Sequence, residues 1–160
     1  MKTAAIILLV LVLAVGGCLY YGINHTRLLL TGKSLQVLPA GERPAQFETL
    51  KESLEQNTLL GTPLKKGPLG DKENYTYYVY TLRLKNPGLV PAEMVEIQIA
   101  PTDPDVLFYS DTQETVIRPG QTRDIWCTLL TEGAPPAARD IYITYYLWGH
   151  PMEMRYAYAD

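Results

Sequence analysis

The sequence predicts a mainly β protein: one antiparallel β-sandwich of about seven strands, preceded by one transmembrane or signal helix and a short amphipathic helix. Three observations predict it. The first is an apolar run over residues 4–22 with no charged side chain. The second is a change of hydrophobic period, from helical spacing over 45–56 to strict alternation from residue 57 onward. The third is the regular recurrence of Gly/Pro/Asn turn signals between the alternating runs, which is the punctuation of an all-β domain.

The apolar run comes first in the chain. At about 1.5 Å rise per residue, a helix over 4–22 spans roughly 28 Å, close to the ~30 Å hydrocarbon core of a bilayer. Lys2 precedes it, Tyr20 and Tyr21 close its far end, and His25 and Arg27 are the first strongly polar side chains beyond. Amphipathic rings favour the headgroup layer, so the tyrosines read as a collar. A short tail before a single apolar run is the layout of a signal anchor, which places the N-terminus in the cytoplasm and the rest of the chain outside.

Val15-Gly16-Gly17-Cys18 resembles a bacterial lipobox, in which small residues precede a cysteine at the end of an apolar segment. The resemblance implies lipidation of Cys18, which would become the mature N-terminus. Against that, Leu19-Tyr20-Tyr21 prolongs the apolar run where a polar tether is usual, and the reading favoured here is an uncleaved anchor. Both readings hold the rest of the chain at a membrane surface. A cleavable secretory signal is the third reading, and no clear small-x-small site before a polar start supports it.

The residues beyond the anchor suffice for one domain with a genuine core. A formal net charge of −3 without a Lys/Arg cluster excludes nucleic acid and anionic lipid as main partners. Only two cysteines are present, one of them in the anchor, so no disulfide framework exists. Cys127 reads as a small buried hydrophobe in a strand.

Residues 23–56 read as a juxtamembrane segment. Leu28-Leu29-Leu30 and Leu35-Gln36-Val37-Leu38 are apolar clusters that fit either an initial strand or packing against the domain. Pro44 opens the helix over 45–56, with Phe47, Leu50 and Leu54 on one stripe and Asn57 as its stop. That stripe fits a lid on the domain, with partner binding as the sharper alternative. The sandwich then occupies 57–160, with strands expected at 75–85, 94–99, 106–109, 114–117, 122–130, 141–148 and 152–158. Residues 86–88, 118–120, 133–137 and 149–151 connect them.

Leu82-Arg83-Leu84-Lys85-Asn86-Pro87-Gly88 followed by Pro91-Ala92, together with Val116-Ile117-Arg118-Pro119-Gly120-Gln121-Thr122, resembles the immunoglobulin-like and fibronectin type III-like sandwiches of bacterial envelope proteins, including the CARDB type. The resemblance covers roughly 57–160. It implies an immunoglobulin-like fold used for adhesion, spacing or assembly, and it does not specify a ligand.

Catalytic signatures do not stand out: the chain has no Gly-rich phosphate loop, Gly-x-Ser-x-Gly elbow, His-Glu-x-x-His or Cys-x-x-Cys. No enzyme activity, cofactor or metal is expected. Asp103, Asp105 and Asp111 gather carboxylates in one loop region without the spacing of a calcium loop, and a solvated turn is expected there. Twelve Tyr against two Phe is the remaining peculiarity. Tyr142, Tyr146 and Trp148 fall on one face of their strand, so some of these rings should line a surface. The expectation is a membrane-tethered binding or assembly module for another envelope protein. The alternative is a glycan or wall-polymer module that stacks sugars on Tyr142, Tyr146 and Trp148.

Overall fold

A computed structural model describes the chain apart from residues 1, 57, 59–60, 66, 111–114, 134–137 and 160. Asn57, Asp111, Glu114 and the stretch 134–137, to which the sequence assigns a helix stop, a carboxylate, a strand start and a connector, lie outside the described residues. Among the described residues there are two α-helices, α1 (Lys2–His25) and α2 (Pro44–Glu55). Eight strands among the described residues form two antiparallel sheets. They are β1 (Leu29–Pro39), β2 (Thr62–Pro63), β3 (Tyr75–Lys85), β4 (Ala92–Ile99), β5 (Asp105–Ser110), β6 (Thr122–Glu132), β7 (Ala138–Leu147) and β8 (His150–Ala159). The larger sheet runs β1-β3-β6-β5-β2 and the smaller β4-β7-β8.

Alternation along the strands builds the core. On β3, Tyr78, Tyr80, Leu82 and Leu84 turn inward, joined by Ile125, Cys127 and Leu129 of β6. The facing layer is Val95 and Ile97 of β4 with Ile141, Ile143, Tyr145 and Leu147 of β7, and all belong to one apolar cluster. Branched and aromatic side chains alternating with polar ones meet the steric demands of a pleated surface buried on one face.

The outer face of the larger sheet is apolar at one end only. Tyr75 and Tyr77 project there, and α2 covers them with Phe47, which is itself buried, while Leu50 and Leu54 flank it. Phe47 and Tyr75 stack at 5.3 Å between centroids. The helix starts with Pro44 in its first turn, where a missing N–H costs nothing. Its apolar stripe is thus a lid on the sheet.

α1 ends against the β-body without a tether. The Thr26 N–H and hydroxyl both donate to the Gly22 carbonyl, closing the last helical turn. Leu28, two residues on, is buried in the core, and its N–H donates to the Tyr145 hydroxyl at 3.3 Å. Gly88 leaves no room for a side chain, because a Cβ there would collide with the Thr26 methyl. The helix exit is therefore docked on the turn at 86–88.

That turn is organised by Asn86, which is fully buried. Its Nδ2 donates to the Val90 and Ile117 carbonyls at 2.7 and 2.8 Å, and its Oδ1 accepts from Gly88 N–H at 2.9 Å. Asn86→Ala strips partners from three backbone groups in a region largely closed to water. A loss of about 2 kcal/mol is expected, read as a lowered Tm. Asn86→Asp should fare no better, since a carboxylate would face two carbonyl oxygens.

The structure sharpens or departs from the sequence reading in three places. Of the two readings open for the apolar clusters at 28–30 and 35–38, the initial strand is the one seen: 29–39 form an edge strand that pairs with β3 from Leu29–Lys85 to Pro39–Thr76. The strand expected at 114–117 reduces, among the described residues, to a bridge between Ile117 and Ala92, with Val95 N–H bonded to the Thr115 carbonyl. With the brief β2 added, the count is eight strands instead of seven. Thirdly, the turn at 103–105 is solvated only in part, with Asp103 exposed and Asp105 withdrawn from water. Asp105 is buried, and its carboxylate accepts from Arg139 at 2.7 and 2.8 Å and from Thr102 N–H and hydroxyl. The carboxylate is thereby committed to holding the turn and the core together.

Candidate functional site

Strand β7 lies between β4 and β8, and its alternation decides which tyrosines reach solvent. Tyr145 is inward and buried; Tyr142, Thr144 and Tyr146 point to the outer face of the smaller sheet. Across the ladder, Tyr142 is paired with Gln98 and Arg155, and Tyr146 with Glu93 and Pro151. Four residues along a strand separate the two rings by roughly 13 Å, with Thr144 between them.

Trp148 does not continue this row. β7 ends at Leu147, and Trp148-Gly149 form a two-residue hairpin turn with φ of 50° and 74°. Positive φ at both positions matches the right-handed twist of the strands it joins, at the cost of placing a bulky residue in the left-handed region. The indole is 54% exposed at the tip of the β7–β8 hairpin. The three aromatic residues singled out in the sequence therefore divide into two outward tyrosines and one turn tryptophan.

Tyr146 borders a groove of about 380 Å³, bounded by Met94, Glu96 and Gln98 of β4, Thr144 of β7, and Pro151 and Glu153 of β8. Tyr142 does not line it. The groove lies where the β4–β7 pairing slips between Glu93 and Glu96 and Met94 takes φ of 51°. Such an irregularity bends the strand and re-aims its side chains. Nothing in the alternation of 94–99 signals the slip, so the roles of Met94, Glu96 and Glu153 were not legible in the sequence. Among the described residues, Glu93, Glu96 and Glu153 have no ion-pair partner, while Arg155 pairs with Asp140 at 2.7 and 3.1 Å.

A second cavity of about 380 Å³ lies between α2 and the larger sheet, lined by Gln46, Thr49, Leu50, Ser53, Tyr77 and Tyr109. Burial, with the Tyr109 phenol as a lesser influence, pushes the Tyr77 hydroxyl up to about 12. Cys127 is fully buried, and burial pushes its thiol up to about 12 as well. It stays protonated at neutral pH and contributes packing instead of a nucleophile. Among the described residues, no group of three or more His, Cys, Asp or Glu side chains is disposed to hold a metal.

At the other end of the chain, Thr3–Gly22 is long and apolar enough to cross a membrane, and none of it is buried against the body. Cys18 is exposed on α1, which runs unbroken past it. The fold is thus a mainly β body of two antiparallel sheets with an apolar N-terminal helix of anchor or signal type. No known family model matches the chain, and no curated protein matches it.

Proposed function

We propose that this is a membrane-tethered, extracytoplasmic, non-enzymatic binding or assembly module that engages another cell-envelope protein. In this reading the two antiparallel sheets are an immunoglobulin-like sandwich, α1 is an uncleaved anchor with its N-terminus in the cytoplasm, and the outer face of β4-β7-β8 meets the partner. One observation carries it. Only Thr26 and Arg27 separate the apolar helix from Leu28 in the core, which supports a β-body held at the bilayer surface when α1 serves as the anchor. A body so placed works on neighbours in or near the membrane.

The groove beside Tyr146 supplies the contact. It combines an aromatic ring carrying a polar tip with Met94 and Pro151, the amphipathic composition favoured at the centre of protein interfaces. A glycan reading rests on the same exposed rings. The two are separated by placing a photo-crosslinking residue at position 146 in the native cell, with a control at Lys51 on α2. One recurrent envelope protein captured at 146 and not at 51 is the expected result. The Tyr146→Ala variant should then bind that protein about tenfold or more weakly. Capture of wall polymer alone at 146 moves the assignment to the glycan reading, and equal capture at both positions removes this face from consideration.

A further inference from the structure

We infer that the free edge of β8 joins a second copy of this chain, producing a symmetric dimer with a continuous sheet in the order β4-β7-β8-β8-β7-β4. This concerns association of like chains and stands independently of the partner proposed above.

Each open sheet has two edges, and unprotected edges template further pairing. Three of the four edges here are blunted. β2 has only two residues. β4 is interrupted at Met94 and partly covered by Thr115 and Ile117. β1 has a pairing irregularity between Leu30 and Gly32 and lays the Lys33 ammonium over the Tyr156 and Tyr158 rings of β8, 5.5 and 4.5 Å from their centres. β8 has a proline of its own, Pro151, yet it is the longest edge that pairs without interruption. Its ten residues pair with β7 from Leu147–His150 to Ala138–Ala159 without a slip, and its other side is unpaired among the described residues.

The pattern of hydrogen bonds fixes what that side offers. A two-residue turn makes Leu147 and His150 the closing bonded pair, so alternate residues from His150 bond to β7. The intervening Pro151, Glu153, Arg155 and Ala157 direct their backbone groups to the free edge. Pro151, with no N–H, is tolerated on that side for this reason.

Charge then selects a register. In antiparallel self-pairing about a two-fold axis through Met154, Glu153 of each copy lies opposite Arg155 of the other, and Pro151 lies opposite Ala157. Centring the axis on Glu153 or on Arg155 sets like charges opposite each other, which is unfavourable. The Met154 register is therefore self-complementary, as an isologous two-fold contact requires. Arg155 is exposed, and its two bonds to Asp140 use Nε and one terminal nitrogen, which leaves the other terminal nitrogen to meet the Glu153 of a second copy.

The test is the mass of the full-length chain in detergent micelles, by light scattering coupled to chromatography, with thermal melts verifying each variant's fold. Wild type should dimerise. Glu153→Arg and Arg155→Glu should each weaken the dimer by about tenfold, because each opposes like charges twice. Mixing the two variants should restore it as a heterodimer, since every cross-strand pair is then opposite in sign. Amide hydrogen exchange at Glu153, Arg155 and Ala157 gives a second readout: it should be slow in wild type and fast in Glu153→Arg. A monomeric wild type at ~100 μM, a dimer indifferent to Glu153→Arg, or absence of rescue on mixing would each overturn the proposal.

Discussion

Replacing Arg139 by alanine is expected to destabilise the β-body by about 3–5 kcal/mol, because it leaves the Asp105 carboxylate buried and without its charge partner. Arg139 stands on β7 of the smaller sheet and Asp105 on β5 of the larger, so this two-bond ion pair crosses the core between them. Both side chains are almost completely shielded from water, at 2% and 0% exposure. For the full-length chain in detergent micelles, monitored by near-ultraviolet dichroism, Tm should fall on the order of 10–20 °C. Asp105→Leu combined with Arg139→Met should recover most of that loss, since a well-packed apolar pair carries no desolvation penalty. A small effect of the single variant would mean that solvent reaches the pair.

The same carboxylate sets a pH dependence. Burial on its own would raise the Asp105 pKa, but the hydrogen bonds from Arg139 and Thr102 outweigh it and hold the group below its ordinary value. A carboxyl whose folded pKa is depressed contributes stability above its unfolded value of about 3.9, and that contribution is lost as pH falls through the folded value. Wild type should therefore lose stability steeply on acidification below about pH 4. Asp105→Asn should start lower at pH 7 and converge on wild type in acid.

How far the sequence exposes this architecture depends on whether the relevant physics is periodic. Alternation over 75–85 and the Asn86-Pro87-Gly88 stop locate β3 from Tyr75 to Lys85, because one face is core and the other is largely not. The helix beginning at Pro44 is equally legible from the spacing of Phe47, Leu50 and Leu54. Pairing is another matter. β1 has Lys33, Ser34 and Gln36 among its apolar residues, because an edge strand on an open sheet buries little, and its alternation is correspondingly weak. Asp105 and Arg139 are far apart in sequence and each reads as a surface charge. Only the meeting of β5 and β7 across the core makes them partners. The groove at Tyr146 lies at the slip beside Met94, a local backbone event that leaves no trace in side-chain periodicity. In the candidate site the outward tyrosines followed from alternation, and the residues that shape the groove around them did not.

Placing arginines at Val10 and Leu13 is expected to release the protein from the membrane while leaving the melting of its β-body unchanged. Each arginine near the centre of a spanning helix costs about 2.5–3.5 kcal/mol on insertion scales, so two shift partitioning by roughly four orders of magnitude. The fold should not respond, because Thr3–Gly22 buries nothing against the body and a side chain added at Gly16, Gly17 or Gly22 would meet only open space. Membrane flotation of the native-cell lysate, paired with a melt of the soluble fraction, measures both effects. Cys18→Ser, assayed alongside, identifies what holds the chain. If α1 is the anchor, the serine variant floats with membranes as wild type does, because a thiol on an exposed helix face contributes little to insertion. If a lipid on Cys18 is the anchor, wild type begins at Cys18 and carries a lipid label that the serine variant loses. Release of wild type itself, with a new N-terminus beyond residue 22, would instead identify the segment as a cleaved secretory signal. The β-body would then meet its partners in solution, and the argument from its short connection to α1 would no longer apply.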